Sequence, residues 1–382
     1  MDKLKVMTIF GTRPEAIKMA PLVKELERRE EIESLCCVTA QHRQMLDSVL
    51  DIFGIVPQFD LDIMEPSQTL STITTKCLLG LEKVFQEVRP DLVLVHGDTS
   101  TTFAGALAAY YQKIAVGHVE AGLRTWDRYS PFPEEMNRSM VGRLAQLHFC
   151  PTAANRRNLE AEGVRDGLFV TGNTVIDALQ TTVLKEFRFA EDVLNRLDYG
   201  GKKVILVTCH RRENYGKPME DIMAALAHIA QTHPEAELVY PVHLSPAVQE
   251  CAHRYLDGIE NVHLIVPLDV EEMHNLMARS YLVMTDSGGL QEEAPALGKP
   301  VLVLRKETER PEAAQAGTVK LAGVDYDAIV SMADELLDDS AAYAKMAHAV
   351  NPYGDGRACR RIVDAVLYQF GRTDRPPETF QG

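Results

Sequence analysis

The sequence predicts an α/β protein built from two doubly wound parallel-sheet domains, and three observations carry the prediction. Short apolar runs alternate with helix-period stretches, the alternation occurs as two series, and a polar interval ending in Gly200-Gly201 separates them. Strands of a parallel sheet are buried on both faces by their crossover helices, so they read as continuous apolar runs. A chain of 382 residues also has room for two cores, since single domains usually hold about 100–200 residues.

The first series opens with Leu4-Lys5-Val6-Met7-Thr8-Ile9-Phe10 as a strand, and further strands are expected at 35–39, 92–96, 114–119 and 147–150. Thr99–Tyr111, between two of them, has the helical period. The charged stretch 185–201 leads into the second series, with strands expected at 203–208, 238–242, 262–265, 281–285 and 300–304 and a helix over Asp221–Thr232. Ile362, Val363, Val366, Leu367 and Phe370 repeat at helical spacing near the C-terminus. The helix of about 358–372 is expected to pack back on the first domain, so the domains are read as 1–172 and 173–357. The polar, proline-containing residues Thr373 to Gly382 read as a frayed tail.

Composition excludes several classes. A net charge of −15 argues against a nucleic-acid partner, which calls for a basic field. No apolar run reaches the roughly 18–20 residues that span a bilayer, and the N-terminus lacks the apolar core and cleavage site of a signal peptide. The seven cysteines form no C-x-x-C pair, which suits a reducing cytoplasm and offers no zinc framework. A cytoplasmic protein without metal or membrane partner is expected.

Ligands of open α/β sheets bind beyond the carboxyl ends of the strands. The first strand runs into Gly11-Thr12-Arg13-Pro14-Glu15, which sets Arg13 beside a helix N-terminus, with Lys18 one turn later. Asp98 and Glu120 follow consecutive strands and so fall at one sheet edge; Asp98 is either an N-cap or a functional carboxylate. Glu134 begins a helix after Pro133, where it is either functional or one half of an i,i+4 ion pair with Arg138. In the second series His210 and Arg211 end one strand and His243 another, as phosphate-directed groups or as a solvated charge run. Thr285-Asp286-Ser287-Gly288-Gly289 leads from strand to helix and offers backbone N–H groups as a phosphate cradle, with Glu293 and Arg310 downstream. There is no G-x-G-x-x-G and no P-loop.

In these segments the sequence resembles the bacterial non-hydrolysing UDP-N-acetylglucosamine (UDP-GlcNAc) 2-epimerases. The matching motifs are Gly11 to Glu15, His96-Gly97-Asp98-Thr99, His118 to Arg124, Pro133 to Arg138, His210 to Glu213, Thr285 to Glu293, Glu309 to Glu312 and Asn351 to Gly356. The resemblance implies two Rossmann-like domains around a central cleft, as in glycosyltransferases of the B type, and usually a homodimer. It implies interconversion of UDP-GlcNAc and UDP-ManNAc by elimination of UDP and re-addition, without cofactor, supplying cell-surface polysaccharide. Asp98, Glu120, Glu134 and His210 would carry the chemistry, with the division between base and acid left open. Arg13, Lys18, Met273, Ser287, Gly288, Gly289, Glu293 and Arg310 would bind substrate. Gln41, Gln44, Glu134, Arg211 and His243 match a second UDP-GlcNAc site that activates some members, where this chain has Ser67 in place of an arginine. The alternatives are an epimerase for a modified UDP-sugar of the 2,3-diacetamido glucuronate type and a two-domain glycosyltransferase.

Overall fold

The computed structural model describes residues 2–40, 43–65, 67–308 and 310–382. The chain forms two compact units, Met1–Thr181 with Tyr353–Gly382, and Thr182–Pro352. The first holds strands β1 (Leu4–Phe10), β2 (Ile32–Val38), β3 (Phe59–Asp60), β4 (Leu92–His96), β5 (Ala115–Val119), β6 (Leu147–Cys150) and β7 (Leu168–Val170). Its helices are α1 (Arg13–Glu27), α2 (Arg43–Phe53), α3 (Leu70–Val88), α4 (Ser100–Tyr111), α5 (Glu134–Leu144), α6 (Ala153–Ala161) and α7 (Thr174–Thr182). The second unit carries β8 (Lys203–Thr208), β9 (Ala236–Pro241), β10 (Val262–Ile265), β11 (Leu282–Thr285), β12 (Val301–Val303) and β13 (Val319–Leu321). Its helices are α8 (Asp192–Arg196), α9 (Lys217–Thr232), α10 (Pro246–Leu256), α11 (Val270–Arg279), α12 (Leu290–Ala296), α13 (Pro311–Ala316), α14 (Tyr326–Asp338) and α15 (Ser340–Ala347). A last helix, α16 (Ala358–Gln369), returns to the first unit.

Both sheets are parallel and doubly wound, in the order β3-β2-β1-β4-β5-β6-β7 and β10-β9-β8-β11-β12-β13. In each sheet the winding reverses between two neighbouring central strands, β1 and β4 in one and β8 and β11 in the other. Val6, Met7, Ile9 and Phe10 of β1 are fully buried on both faces, as a central strand covered by helices requires. The strands absent from the sequence reading, β3, β7 and β13, are two or three residues long, too short for an apolar run to register. Helix α9 begins at Lys217 rather than 221, with Pro218 in the first turn, where a missing N–H costs nothing. Among the described residues no helix is long and apolar enough to cross a membrane.

The unit boundary falls at Thr182 rather than 172, because hydrogen bonds pull the two sides of that point apart. Asp177 on α7 accepts from the N–H groups of Ala358 (3.1 Å) and Cys359 (2.9 Å), fixing the start of α16 in the first unit. Arg361 of α16, almost wholly buried, grips Asp355 with two 2.7 Å bonds and also donates to Thr171 O. Five residues after Asp177, the Thr182 carbonyl accepts from Asn275 Nδ2 (2.7 Å) and its hydroxyl pairs with His274 Nδ1 (2.7 Å), both on α11. The stretch 185–201 is likewise part of the second unit, where Arg279 stacks over Phe189 and Tyr199. The tail is not frayed as its composition suggests: Phe380 N donates to Val170 O at the sheet edge (2.9 Å), and its ring lies over Arg361. Asp177→Ala strips α16 of its cap and should lower the stability of the protein by about 1–2 kcal/mol, read from the urea midpoint. An unchanged midpoint would remove this anchor from the account.

Candidate active site

The reversal points of the two sheets are where the turns after neighbouring strands diverge and leave room for a ligand. In the first unit the turn after β1 is built around Glu15, which is buried. One carboxylate oxygen accepts from Gly11 N (3.1 Å), Thr12 N (2.9 Å) and Thr12 Oγ1 (2.8 Å); the other accepts from Thr99 Oγ1 (2.7 Å) and Thr102 Oγ1 (3.1 Å) at the start of α4. Thr12 and Glu15 also form a capping box on α1. Glycine is required at position 11, because a Cβ there would collide with the side chains of Thr39 and Thr101. Arg13, on the rim of this turn, is partly exposed and its guanidinium has no hydrogen-bond or ion-pair partner among the described residues.

Glu120 ends β5 in the left-handed region, at φ 63°, a conformation that costs a non-glycine residue energy and tends to mark a functional position. Its buried carboxylate receives Lys18 Nζ on both oxygens at 2.8 Å, and His96 Nε2 lies 2.7 Å from Oε2. Burial pushes the Glu120 carboxyl up, but the charge of Lys18 and then of His96 outweighs it and holds the group well below the usual carboxylate range. Asp98 is not the cap of α4: Thr99 is, accepting from Thr102 N, which leaves the Asp98 side chain free to take Arg138 at 2.5 Å. Asn137 Nδ2 holds the Asp98 carbonyl (2.8 Å), and neutral His118 holds that of Gly97 (2.7 Å). Burial pulls His118 down to about 3 against that hydrogen bond.

Of the two readings of Glu134, the ion pair with Arg138 does not form, because Arg138 turns to Asp98 and to Glu135 (3.6 Å). Glu135, not Glu134, is the buried acid of this segment, accepting from the N–H groups of Thr125 and Trp126 at 3.1 Å. Glu134 is partly exposed and has no partner among the described residues. The structure therefore brings Asp98, Glu120 and Lys18 to the ends of neighbouring elements, with Glu134 on the helix that anchors Asp98.

In the second unit the corresponding turn is organised by Asp286, fully buried at the end of β11. Its Oδ2 accepts from His210 N (2.8 Å), Arg211 N (2.8 Å) and Asn214 Nδ2 (3.1 Å), so the loop after β8 is fixed from β11. His210 stacks on His243 with ring centroids 5.4 Å apart and planes 13° from parallel. Burial lowers the His210 pKa, opposed by Asp286 and reinforced by His243 and Arg211. Ser287 N is turned back onto Thr285 Oγ1 (2.9 Å), and Gly288 and Gly289 lead into α12. Glu293 on α12 faces His274 (3.4 Å), and Arg310 is held by buried Glu292 (2.6 Å). Met273 is half-buried on α11 beside His274 in sequence. Gln41 lies outside the described residues, as does the side chain of Gln44.

Among the described residues the group with metal-ligand spacing is His233, Glu235 and Asp338, with ligand atoms within 4.8 Å of one another. It sits at the amino end of β9, the opposite edge of the sheet from His210. There Asp334 takes His233 Nε2 at 2.9 Å and Lys203 stands 3.5 Å from Glu235. The turns after β1, β4 and β5 thus gather acids matched by cations, suited to proton transfer. The turns after β8, β11 and β12 offer Arg211, a Gly-Gly backbone and Arg310, suited to an anion.

Residues 24–367 match the family described as UDP-N-acetylglucosamine 2-epimerase. The chain belongs to the UDP-N-acetylglucosamine 2-epimerase family. It is 56% identical to the UDP-N-acetylglucosamine 2-epimerase of Bacillus subtilis, with all of both chains covered. It is 54% identical to that of Escherichia coli K12 over 95% of this chain and 98% of the relative. The epimerase of Neisseria meningitidis, solved with UDP-GlcNAc bound, superposes with a TM-score of 0.86 at 48% identity, over 95% of this chain and all of that one.

The role of Lys18 can be tested directly in this protein. A carboxylate depressed in the fold stabilises it above the unfolded value of about 4.3, and that stabilisation drains away as pH falls through the folded value. Lys18→Met should cost about 3 kcal/mol in urea unfolding at neutral pH, the scale for orphaning a buried charge. The deficit should shrink in acid, where Glu120 takes up a proton. A deficit of constant size across that range would count against the pairing.

Proposed function

We propose that this protein interconverts UDP-GlcNAc and UDP-ManNAc without hydrolysing either, and so supplies ManNAc units for cell-surface polysaccharide. The observation that carries the reading is the buried, ionised Glu120 beside Asp98 at the ends of adjacent strands. Two carboxylates at one edge, each with its own cation, suit abstraction of a proton and its return. The C2 proton of UDP-GlcNAc is not acidic, because C1 is an acetal carbon with no carbonyl in conjugation. Breaking the C1–O bond makes it labile: UDP departs, C2 loses its proton, and 2-acetamidoglucal remains. UDP then adds back at C1 while a proton is delivered to the other face of C2.

Asp98, Glu120 and Glu134 divide the proton chemistry, and His210 stands on the side of the leaving diphosphate. Arg13, without a partner among the described residues, is available to substrate, whereas Lys18 acts through Glu120. Ser287, Gly288 and Gly289 bind the diphosphate, Arg310 adds charge, Glu293 meets the ribose hydroxyls, and Met273 lies by the uracil. Preorganised donors and cations aimed at a departing phosphate are commonly the largest contribution to such a reaction.

Incubation with UDP-GlcNAc in D₂O, followed by proton NMR, tests the whole reading. UDP-ManNAc should appear, with deuterium at C2 of both epimers. Free ManNAc with UDP would indicate the hydrolysing reaction, and an unaltered spectrum would falsify the assignment to UDP-GlcNAc. A second UDP-GlcNAc, held by Arg211, His243, Glu134, Gln41 and Gln44, is proposed as a weak activator, since Ser67 offers no charge for its phosphates. Starting from UDP-ManNAc alone, added UDP-GlcNAc should raise the rate only at high concentration; a rate indifferent to it at every concentration would eliminate the activator.

A further inference from the structure

The side chain of Asp286 has one oxygen fully used and one left over. Oδ2 carries the N–H groups of His210 and Arg211 and the Asn214 amide, while Oδ1 is buried with no hydrogen-bond partner. A buried carboxylate oxygen without a donor costs on the order of 1–3 kcal/mol, and more when charged. The weakly donating Cys209 thiol faces this carboxylate, and His210 Nδ1 is a donor candidate 3.5 Å away. That is longer than a made hydrogen bond, a common state of functional contacts before substrate binds.

The ring of His210 has little freedom to choose another partner. Its backbone N–H is pinned to the same carboxylate, and one ring face lies against His243. His243 in turn is oriented by Ser245 N, which donates to its Nδ1 at 3.1 Å. The other groups facing this point are Arg211, which cannot accept a proton, and the Cys209 thiol. Burial, then Asp286, pushes that thiol far up, so it stays protonated and adds no charge. The opposite nitrogen of His210, Nε2, has no partner among the described residues, and the side chain is 40% exposed.

We propose that Asp286 is a positioning residue that holds His210 as the Nδ1–H tautomer, making bare Nε2 the nitrogen presented to substrate. Neutral imidazole carries one proton, and the nitrogen beside an unsatisfied carboxylate keeps it. His210 then meets substrate as an acceptor, and the Asp286 charge stabilises the imidazolium once a proton has been taken. This deepens the epimerase reading, since it is His210 of that reaction that is being oriented.

The test is ¹⁵N NMR of the full chain labelled at histidine, with His210→Asn identifying the His210 signals. In the wild-type protein the proton should sit on Nδ1. Asp286→Asn keeps an oxygen for the two backbone N–H groups and sets an amide N–H₂ against the ring, so the proton should move to Nε2. A wild-type His210 protonated at Nε2 overturns the proposal, whether or not the variant folds. So does a variant whose tautomer matches the wild type. With UDP-GlcNAc, Asp286→Asn should lower kcat by on the order of 100-fold, the scale of a general acid–base contribution, with KM little changed and a shifted pH profile. Loss confined to KM would make Asp286 a binding element instead. The tautomer is read without turnover, so an inactive protein with the Nδ1–H form would refute the epimerase reading and leave this one standing.

Discussion

A carboxylate buried away from water must find a donor for nearly every lone pair, and a turn at the end of a parallel strand has spare N–H groups to offer. Both units exploit that match at the point where the strand order reverses. Glu15 ties the turn after β1 to the first turn of α4, and Asp286 ties the loop after β8 to the end of β11. In each case one side chain spans the two strands whose connections diverge, so the place where the sheet leaves room for a ligand is also held by buried hydrogen bonds. Arg13 and His210, both proposed to touch substrate, sit on the turns these two clamps hold.

Charge is then matched locally although the protein as a whole carries −15. Glu120 has Lys18 and His96, Asp98 has Arg138, and Glu292 has Arg310. Pairing holds Glu120 ionised where burial alone would neutralise it, and leaves Arg13 and Arg211 uncommitted among the described residues. Glu134 differs from these three acids in having no cation beside it among the described residues.

Much of this was legible in the sequence, because strand ends are marked by where apolar runs stop. The turns carrying Asp98, Glu120, His210 and Asp286 were located that way, and so were both wound domains. What stayed hidden has two physical origins. Edge strands β3, β7 and β13 are fixed by pairing with a neighbour rather than by their own composition. Side-chain partners are chosen by the fold: Lys18 meets Glu120 across 102 residues, and Arg138 prefers Asp98, forty positions back, to Glu134 one helical turn away. The T-x-x-E pattern of Thr12 and Glu15 was a readable signal of a capping box, but not of the reach to Thr99 and Thr102.

Helix α16 is made of residues 358–369 yet rests on α1 and is capped by Asp177, whereas residues 182–352 close a unit of their own. On the ribosome, where chains emerge from the N-terminus, the second unit is complete before the first. The N-terminal sheet, made earlier, waits with one flank of α1 bare until residues 358–369 have been translated. A truncated product ending shortly before α16 would therefore lack no strand of either sheet, but would expose the apolar face meant for Ile362, Val363 and Val366. Such an exposed apolar face is an aggregation liability that the docking of α16 removes.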